Sequence, residues 1–279
     1  MIEPRRPAGG WLAHLALAAV ALATLAPLLL MLANAFTPNA LVIRQPIRLW
    51  PSQPTLANFV IAGQRYPLWT WLLNSLFGAA AITLGKLLLS VPAGFAFGRL
   101  KFRGRDAAFA VIVATLSFPS VVAIVPTFMA VLRLGLSDTR TALIVPSIPY
   151  IGFYVFYLRQ AFRGLPASMF EAAMLDGAGL FRQLISIALP NVLPQIAVTS
   201  ILAFVGAWNI YLWAQLVLED VPMKTLVTGI ALFADIDSRE RLWGPVMACA
   251  VLSVAPVLAL FMFAQRFLGA ALMPGRADR

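Results

Sequence analysis

The chain has 279 residues, of which 61% are hydrophobic and only 11% charged, and its formal net charge is +10. Soluble domains carry roughly a quarter of charged residues, so this composition excludes an ordinary water-soluble enzyme and points to a chain folded in lipid. The basic residues are scattered through short segments beside apolar runs, which fits anionic lipid headgroups and not a nucleic-acid partner.

At about 20 to 25 residues per crossing, plus loops, the length gives room for about five to seven spans. The apolar runs in chain order are 12–35, 69–97, 107–132, 141–159, 195–218 and 242–265. They predict an all-α polytopic membrane protein with six transmembrane helices, organised as a single transmembrane domain over 1–279.

The first run follows Arg5 and Arg6 and ends in Ala33-Asn34-Ala35, a superficial likeness to a signal peptide. Its apolar stretch is about twice the usual 7 to 15 residues of a signal core, so an uncleaved first span is expected. The segment 36–67 is punctuated by Pro38, Pro46, Pro51 and Pro54 and reads as a surface connection. Lys86 interrupts the second run about 17 residues in, near its inner boundary, where a lysine stem can snorkel to the headgroups. Contact with an anion is the other reading. Pro119 and Pro126 in the third run, and Pro146 and Pro149 in the fourth, remove helix hydrogen bonds and predict bends or breaks. Such breaks line solute paths in transporters, and they also serve packing.

Between the fourth and fifth runs lies a polar-edged segment, 164–190. Ser168 and Glu171 have capping-box spacing, Pro166 marks a start, and Gly177 is placed to close a helix in a left-handed conformation beside Asp176. A second short helix, 180–189, is predicted to stop at Pro190 and Pro194. The two helices form a stiff protrusion held by spans at both ends.

The fifth run contains Trp208-Asn209-Ile210-Tyr211-Leu212-Trp213. On a continuous helix Trp208 and Tyr211 share a face, with Asn209 and Trp213 on the adjacent one. Aromatic faces and an amide suit a polyol. The cluster also lies about 8 to 15 Å from the outer end, where an interfacial aromatic belt is expected, and both readings stand. The next connection, 219–241, brackets an apolar piece, 226–234, too short to span; packing against neighbouring loops and docking of a soluble partner are both possible. Cys249 in the last run has no second cysteine to pair with and reads as packing.

Basic residues set orientation. With the amino terminus inside, twelve fall on inner segments (Arg5, Arg6, Arg99, Lys101, Arg103, Arg105, Arg159, Arg163, Arg182, Arg266, Arg276, Arg279) and eight on outer ones (Arg44, Arg48, Arg65, Arg133, Arg140, Lys224, Arg239, Arg241). Both termini are then cytoplasmic.

The chain holds no phosphate-cradling loop, since its only Gly-Lys pair, Gly85-Lys86, is followed by Leu87 and lacks the first glycine. All acids lie in loops or at span ends, and the single histidine, His14, lies near the inner end of the first span. A secondary transporter or an intramembrane enzyme needs ionisable groups clustered at membrane depth. These alternatives, and any metal site, therefore find no residues to carry them.

One pattern is specific. Glu171-Ala172-Ala173, three residues, Gly177, nine residues, Ile187, one residue, Leu189-Pro190 resembles the signature of ATP-binding-cassette importer permeases at every fixed position. A chance match has a probability on the order of 10⁻⁵ at ordinary residue usage. The resemblance implies a fold of the type I importer kind in the bacterial inner membrane. It also implies that 164–190 is the coupling helix seated in a cleft of a separate ATPase, which holds the ATP and Mg. Glu171, Ala172 and Ala173 would face that cleft, and Gly177 would form the turn.

Over nearly its whole length the chain is similar to carbohydrate-type permeases of the maltose and glycerol-phosphate kind. Leu72-Leu73-Asn74-Ser75, Phe102-Arg103 and the Trp208 to Trp213 motif carry that similarity. Met1-Ile2-Glu3, Ile82-Thr83-Leu84-Gly85-Lys86 and Asp220-Val221 look most like the second permease of the glycerol-3-phosphate importers. The implied partners are a homologous second permease, two ATPase copies and an extracytoplasmic solute-binding protein. Asn74, Ser75, Pro119, Trp208, Asn209, Tyr211 and Trp213 are the implied pathway candidates. The tail 273–279 lacks the longer glycine-rich ending of the maltose type, so insertion of the tail between ATPases is not carried over.

Overall fold

The structure, a computed structural model, describes residues 10–51, 53–237 and 242–272. Arg5, Arg6, Arg239, Arg241, Arg276, Arg279 and the tail lie outside those residues. Every regular element described is helical. Three helices are long and apolar enough to cross a bilayer, and three bent pairs pass the same test of length and composition if each pair is taken together.

The described residues fall into two compact units. The first, 1–68 with 230–255, contains α1 (Gly10–Ala35), then α2 (Asn39–Arg44) and α3 (Ala57–Arg65). The segment 36–67 is thus more than a bare connection. Asn58 is its hub: the buried Nδ2 donates to Ala35 O at 2.9 Å and Thr37 O at 2.7 Å. These bonds satisfy carbonyls that the end of α1 leaves open.

The second unit, 69–229 with 256–279, carries the features of interest. Its axis is α4 (Leu68–Arg99), 32 residues and about 48 Å long at 1.5 Å per residue. Next come α5 (Arg105–Ala114) and α6 (Ser120–Arg133), bent by 94°. Phe118, before Pro119, is extended at φ −83° and ψ 119°, as a residue preceding proline must be. Pro126, expected to disturb the third run, stays within α6. Then α7 (Arg140–Ile144) and α8 (Gly152–Arg163) meet at a 49° bend containing Pro146 and Pro149. The protrusion holds α9 (Ala167–Leu175), α10 (Leu180–Arg182), a π turn (Gln183–Ala188) and α11 (Leu189–Asn191). An 83° bend at Val192 leads into α12 (Leu193–Trp208), followed by α13 (Leu212–Val217) and the first turn of α14 (Leu226–Asp237), whose remaining residues are counted with the first unit. The last helix is α15 (Trp243–Leu272), counted with the first unit up to Ala255 and with the second from Pro256.

Close packing of α4 on α8 follows from two glycines one turn apart. A Cβ on Gly94 would stand 2.8 Å from Leu158 Cβ, and one on Gly98 3.1 Å from Phe162 Cβ. This small-xxx-small spacing lets two backbones approach where lipid offers no hydrophobic drive. Arg159 Nε adds a bond to Phe97 O at 3.2 Å.

Candidate functional site

The protrusion begins at Pro166, extended at φ −60° and ψ 138°, which takes the N-cap of α9 in place of Ser168. The expected Ser168–Glu171 capping box is not formed: no side chain caps the helix, and Ser168 stands exposed inside its first turn. Proline has already fixed the entry, so the serine arrives two residues too late. The other end is as the sequence predicts. Gly177 has φ +74°, Ala178 N–H reaches Ala173 O at 2.9 Å, and Gly177 N–H reaches Met174 O at 3.0 Å. These are the paired bonds of a left-handed cap.

The second short helix differs from its expectation. It runs through Pro190 to Asn191, and the chain turns at Val192. A proline cannot donate four or five residues back, and the stretch before Pro190 is the π turn that contains Ile187. Asn191 Nδ2 bonds Ile187 O at 2.7 Å, satisfying one carbonyl of that stretch.

Phe170 ties the protrusion to the rods. It is buried with Phe95 of α4, Leu158 and Phe162 of α8, and Ala188 and Val192 behind the π turn; Ile187 and Met169 fill the margin. The Phe95 and Phe170 ring centres are 6.2 Å apart. Arg99, in the last turn of α4, places its guanidinium 4.0 Å from the Phe170 ring centre and donates to Leu165 O at 3.1 Å and Pro166 O at 3.4 Å. The opposite face is open: Glu171, Ala172, Asp176 and Gly177 are exposed, with Leu175 at 90% and Phe181 at 75%. Ala173, expected to face outward with its neighbours, is 7% exposed and points into the core side. Three consecutive helical residues span about 200° of arc, so they cannot share one face.

At mid-length of α4 a cavity of about 310 Å³ is lined by Lys86, Ser120, Thr127, Ser147, Tyr150 and Trp213, among others. Residues beside two of the bent-pair breaks and one further interruption meet there: Ser120 beside Pro119, Ser147 and Tyr150 at the break before α8, and Trp213 beyond the gap between α12 and α13. Lys86 is the nineteenth residue of α4. Its Nζ does not run to the helix end; it donates to Tyr150 O at 3.2 Å and sits 5.2 Å from the Tyr154 ring centre. Snorkelling is therefore not what this lysine does.

The remaining pathway candidates are not brought together there. The run at Trp208 is broken at 209–211, which removes the shared helical face. Asn209 bonds Val205 O through its own N–H at 3.1 Å and its Nδ2 at 2.8 Å, ending α12. Trp208 is 3% exposed and stacks on Phe204 at 5.9 Å, whereas Tyr211 is exposed. Trp213 lines the cavity and anchors to Ala142 O at 3.0 Å.

Asn74 and Ser75 are a clamp and not a wall of the cavity. Asn74 Nδ2 donates to Pro222 O at 2.9 Å and Lys224 O at 3.1 Å, while its Oδ1 accepts from Arg140 at 3.1 Å. Ser75 Oγ accepts from Leu226 N–H at 2.7 Å. The apolar piece 226–234 accordingly starts a helix seated on protein. Sequence reading missed Asp138, at φ 57°, whose Oδ1 accepts from Glu219 N–H at 2.6 Å and Asp220 N–H at 2.9 Å. The only signal was an acid able to adopt a left-handed turn.

Known proteins agree with this arrangement. The family model described as binding-protein-dependent transport system inner membrane component matches residues 90–273. The chain is 32% identical over 96% of both lengths to the arabinooligosaccharides transport system permease protein of Halalkalibacterium halodurans. It is also 32% identical, with 96% of each chain covered, to the sn-glycerol-3-phosphate transport system permease protein of Agrobacterium fabrum. A bacterial ABC transporter involved in the import of the acidic polysaccharide alginate has the same fold, with a TM-score of 0.82 at 22% identity, covering 95% of this chain and 99% of that one. The alginate transporter in complex with alginate pentasaccharide-bound periplasmic protein matches with a TM-score of 0.59 at 16% identity, covering 75% and 81%. A family match across most of the chain, near full-length relatives and a fold built from broken membrane helices converge. The chain belongs to the binding-protein-dependent transport system inner membrane components, the permease subunits of ATP-binding-cassette importers.

Proposed function

We propose that this permease imports a carbohydrate-like solute, a sugar or a polyol phosphate such as sn-glycerol-3-phosphate, and that segment 164–190 receives the work of ATP hydrolysis from a separate ATPase. The relatives named for arabinooligosaccharides and sn-glycerol-3-phosphate support the solute class. One observation supports the coupling above others: a short helix, closed by Gly177 and packed through Phe170 against both α4 and α8, turns an apolar, partly acidic face away from the core.

Mechanically, a push on α9 cannot be absorbed locally. Phe170 is enclosed and interiors are stiff, so displacement passes to Phe95 and Phe162 and hence to two rods in contact at Gly94 and Gly98. The same α4 carries Lys86 at the cavity and Asn74 at the clamp. Motion at its Arg99 end therefore reaches the cavity wall. Exposed Leu175, Phe181 and Met174 offer apolar contact to the cleft, and Glu171 a charge for a basic group there.

The assembly in this reading is a heterodimer with a homologous permease, two ATPase copies that hold the ATP and Mg, and a solute-binding protein on the far side of the membrane. Both termini lie in the cytoplasm, beside the basic segment from Arg99 to Arg105. The residues assigned to coupling are Ser168, Glu171, Ala172, Asp176 and Gly177 toward the partner. Ala173, Ile187, Leu189 and Pro190 hold the protrusion from behind.

Purification of the tagged chain from its native membrane tests this directly. An ATPase and a second permease should co-elute, and ATP hydrolysis should rise on adding the solute-bound binding protein. Elution of the chain alone, with uptake intact, would remove the coupling assignment.

A further inference from the structure

We propose that the cavity around Lys86 is a binding site for the anionic group, phosphate or carboxylate, of a polyol-type solute, and that Lys86 gives this permease its preference for charged cargo. The inference rests on the transport reading above and adds the charge of the solute to it.

The lysine is chemically out of place. The runs 69–97, 107–132, 141–159 and 195–218 contain no Asp apart from Asp106 just before them and no Glu at all. Among the described residues, the contacts given for the Lys86 ammonium are a carbonyl and an aromatic ring, neither of which carries a charge. A cation held among apolar helices is costly without a counter-charge, and a single carbonyl dipole with a ring face replaces only part of its hydration. An ammonium has three donors, so donation to Tyr150 O leaves two N–H groups for a ligand in the cavity that this residue lines.

The rest of the wall suits the remainder of such a molecule. Thr127 donates its hydroxyl to Ala123 O at 2.7 Å and Ser147 to Leu143 O at 2.7 Å. Each hydroxyl proton is thereby committed to its own helix, and the oxygen is left as an acceptor for solute O–H groups. Trp213 is fixed through its indole N–H and presents a ring against which the C–H face of a polyol can stack. One cation, hydroxyl acceptors and one anchored aromatic ring form a recognition set for an acidic polyol; a neutral sugar would leave the cation unpaired.

The test uses the purified permease and ATPase complex in nanodiscs without the binding protein, so that only the membrane site selects. Equilibrium dialysis compares radiolabelled sn-glycerol-3-phosphate with glycerol, and a uronate disaccharide with its neutral counterpart. At least one charged member should be retained over its neutral partner on the order of 10- to 100-fold, the scale of a charge-assisted hydrogen bond. The pair that responds tells phosphate from carboxylate. Lys86→Met should drop retention to the neutral level and Lys86→Arg should keep most of it. Equal retention of charged and neutral members by the unaltered complex, which needs no variant to fold, overturns the proposal. So does undiminished charged binding by Lys86→Met. Absence of an ATPase from the eluted complex would strike the importer reading instead, and the dialysis result would still stand for or against the cavity.

Discussion

Arg99 and Phe170, 71 positions apart in sequence, meet with the guanidinium 4.0 Å from the ring centre. The last turn of α4 thus holds α9 by a cation over a ring and by two bonds to the carbonyls that precede it. Removing the ring should matter more than removing the cation. Phe170→Ala opens a void in an enclosed cluster, at about 3 to 5 kcal/mol, whereas Arg99→Met loses a contact of about 0.5 to 2 kcal/mol. Uptake should fall at least tenfold in Phe170→Ala and by a smaller factor in Arg99→Met, at equal membrane levels of the protein. Phe170→Leu should restore most transport.

Gly177 separates a steric from a conformational demand. No atom lies within 4 Å of where its Cβ would stand, yet its φ is +74°. The cost of a side chain here is therefore backbone strain, roughly 1 to 2 kcal/mol, without a clash. Gly177→Val should abolish solute-stimulated ATP hydrolysis, and Gly177→Asn, which tolerates a left-handed turn, should retain a substantial fraction. Equal loss in both would show that the site is sensitive to bulk and not to φ.

The contact of α4 with α8 is the opposite case. At Gly94 a Cβ would meet Leu158 Cβ at 2.8 Å, so the obstacle is a neighbour and not the dihedral. Gly94→Ile forces the helices apart at about 1 to 3 kcal/mol. The purified variant should lose several degrees of thermal midpoint by detergent differential scanning fluorimetry, while Gly63→Ala, with nothing within 4 Å of its Cβ position, should not.

Much of the local geometry of segment 164–190 was legible in the sequence because its determinants are local. Gly177 marks a helix end and an elbow within a few turns, and its left-handed conformation follows from spacing, whereas the stop expected at Pro190 comes only after Asn191. Ser168 was misread because two caps competed for one helix start and Pro166 holds the earlier position. The pathway residues were less legible because their roles are settled by partners far along the chain. Asn74 and Ser75, polar residues in an apolar run, bind backbone at Pro222, Lys224 and Leu226. Nothing near residue 74 announces that contact. Trp208 and Tyr211 lost their common face to a break that the 3.6-residue period does not foresee. Lys86 was assigned by depth alone, and the carbonyl that holds it, Tyr150 O, lies in the break before α8, 64 positions along the chain.

Asn74→Ala should release the segment around residues 218–226 without touching coupling. Three hydrogen bonds are lost with the amide, and an unpaired buried group costs about 1 to 3 kcal/mol. Limited proteolysis of the detergent-solubilised protein should cut that segment several-fold faster, with co-elution of the ATPase unchanged.

Leu175 is the last residue of α9, 90% exposed, and the chain's one native cysteine, Cys249, is buried. Leu175→Cys therefore introduces a single reactive thiol at the surface proposed to meet the ATPase. A short bifunctional cross-linker applied to native membranes should join this position to a nucleotide-hydrolysing chain, with a yield that changes on adding ATP. A thiol reached only by a reagent confined to the far side of the membrane, or shielded within lipid and joined to no ATPase, would contradict the coupling account.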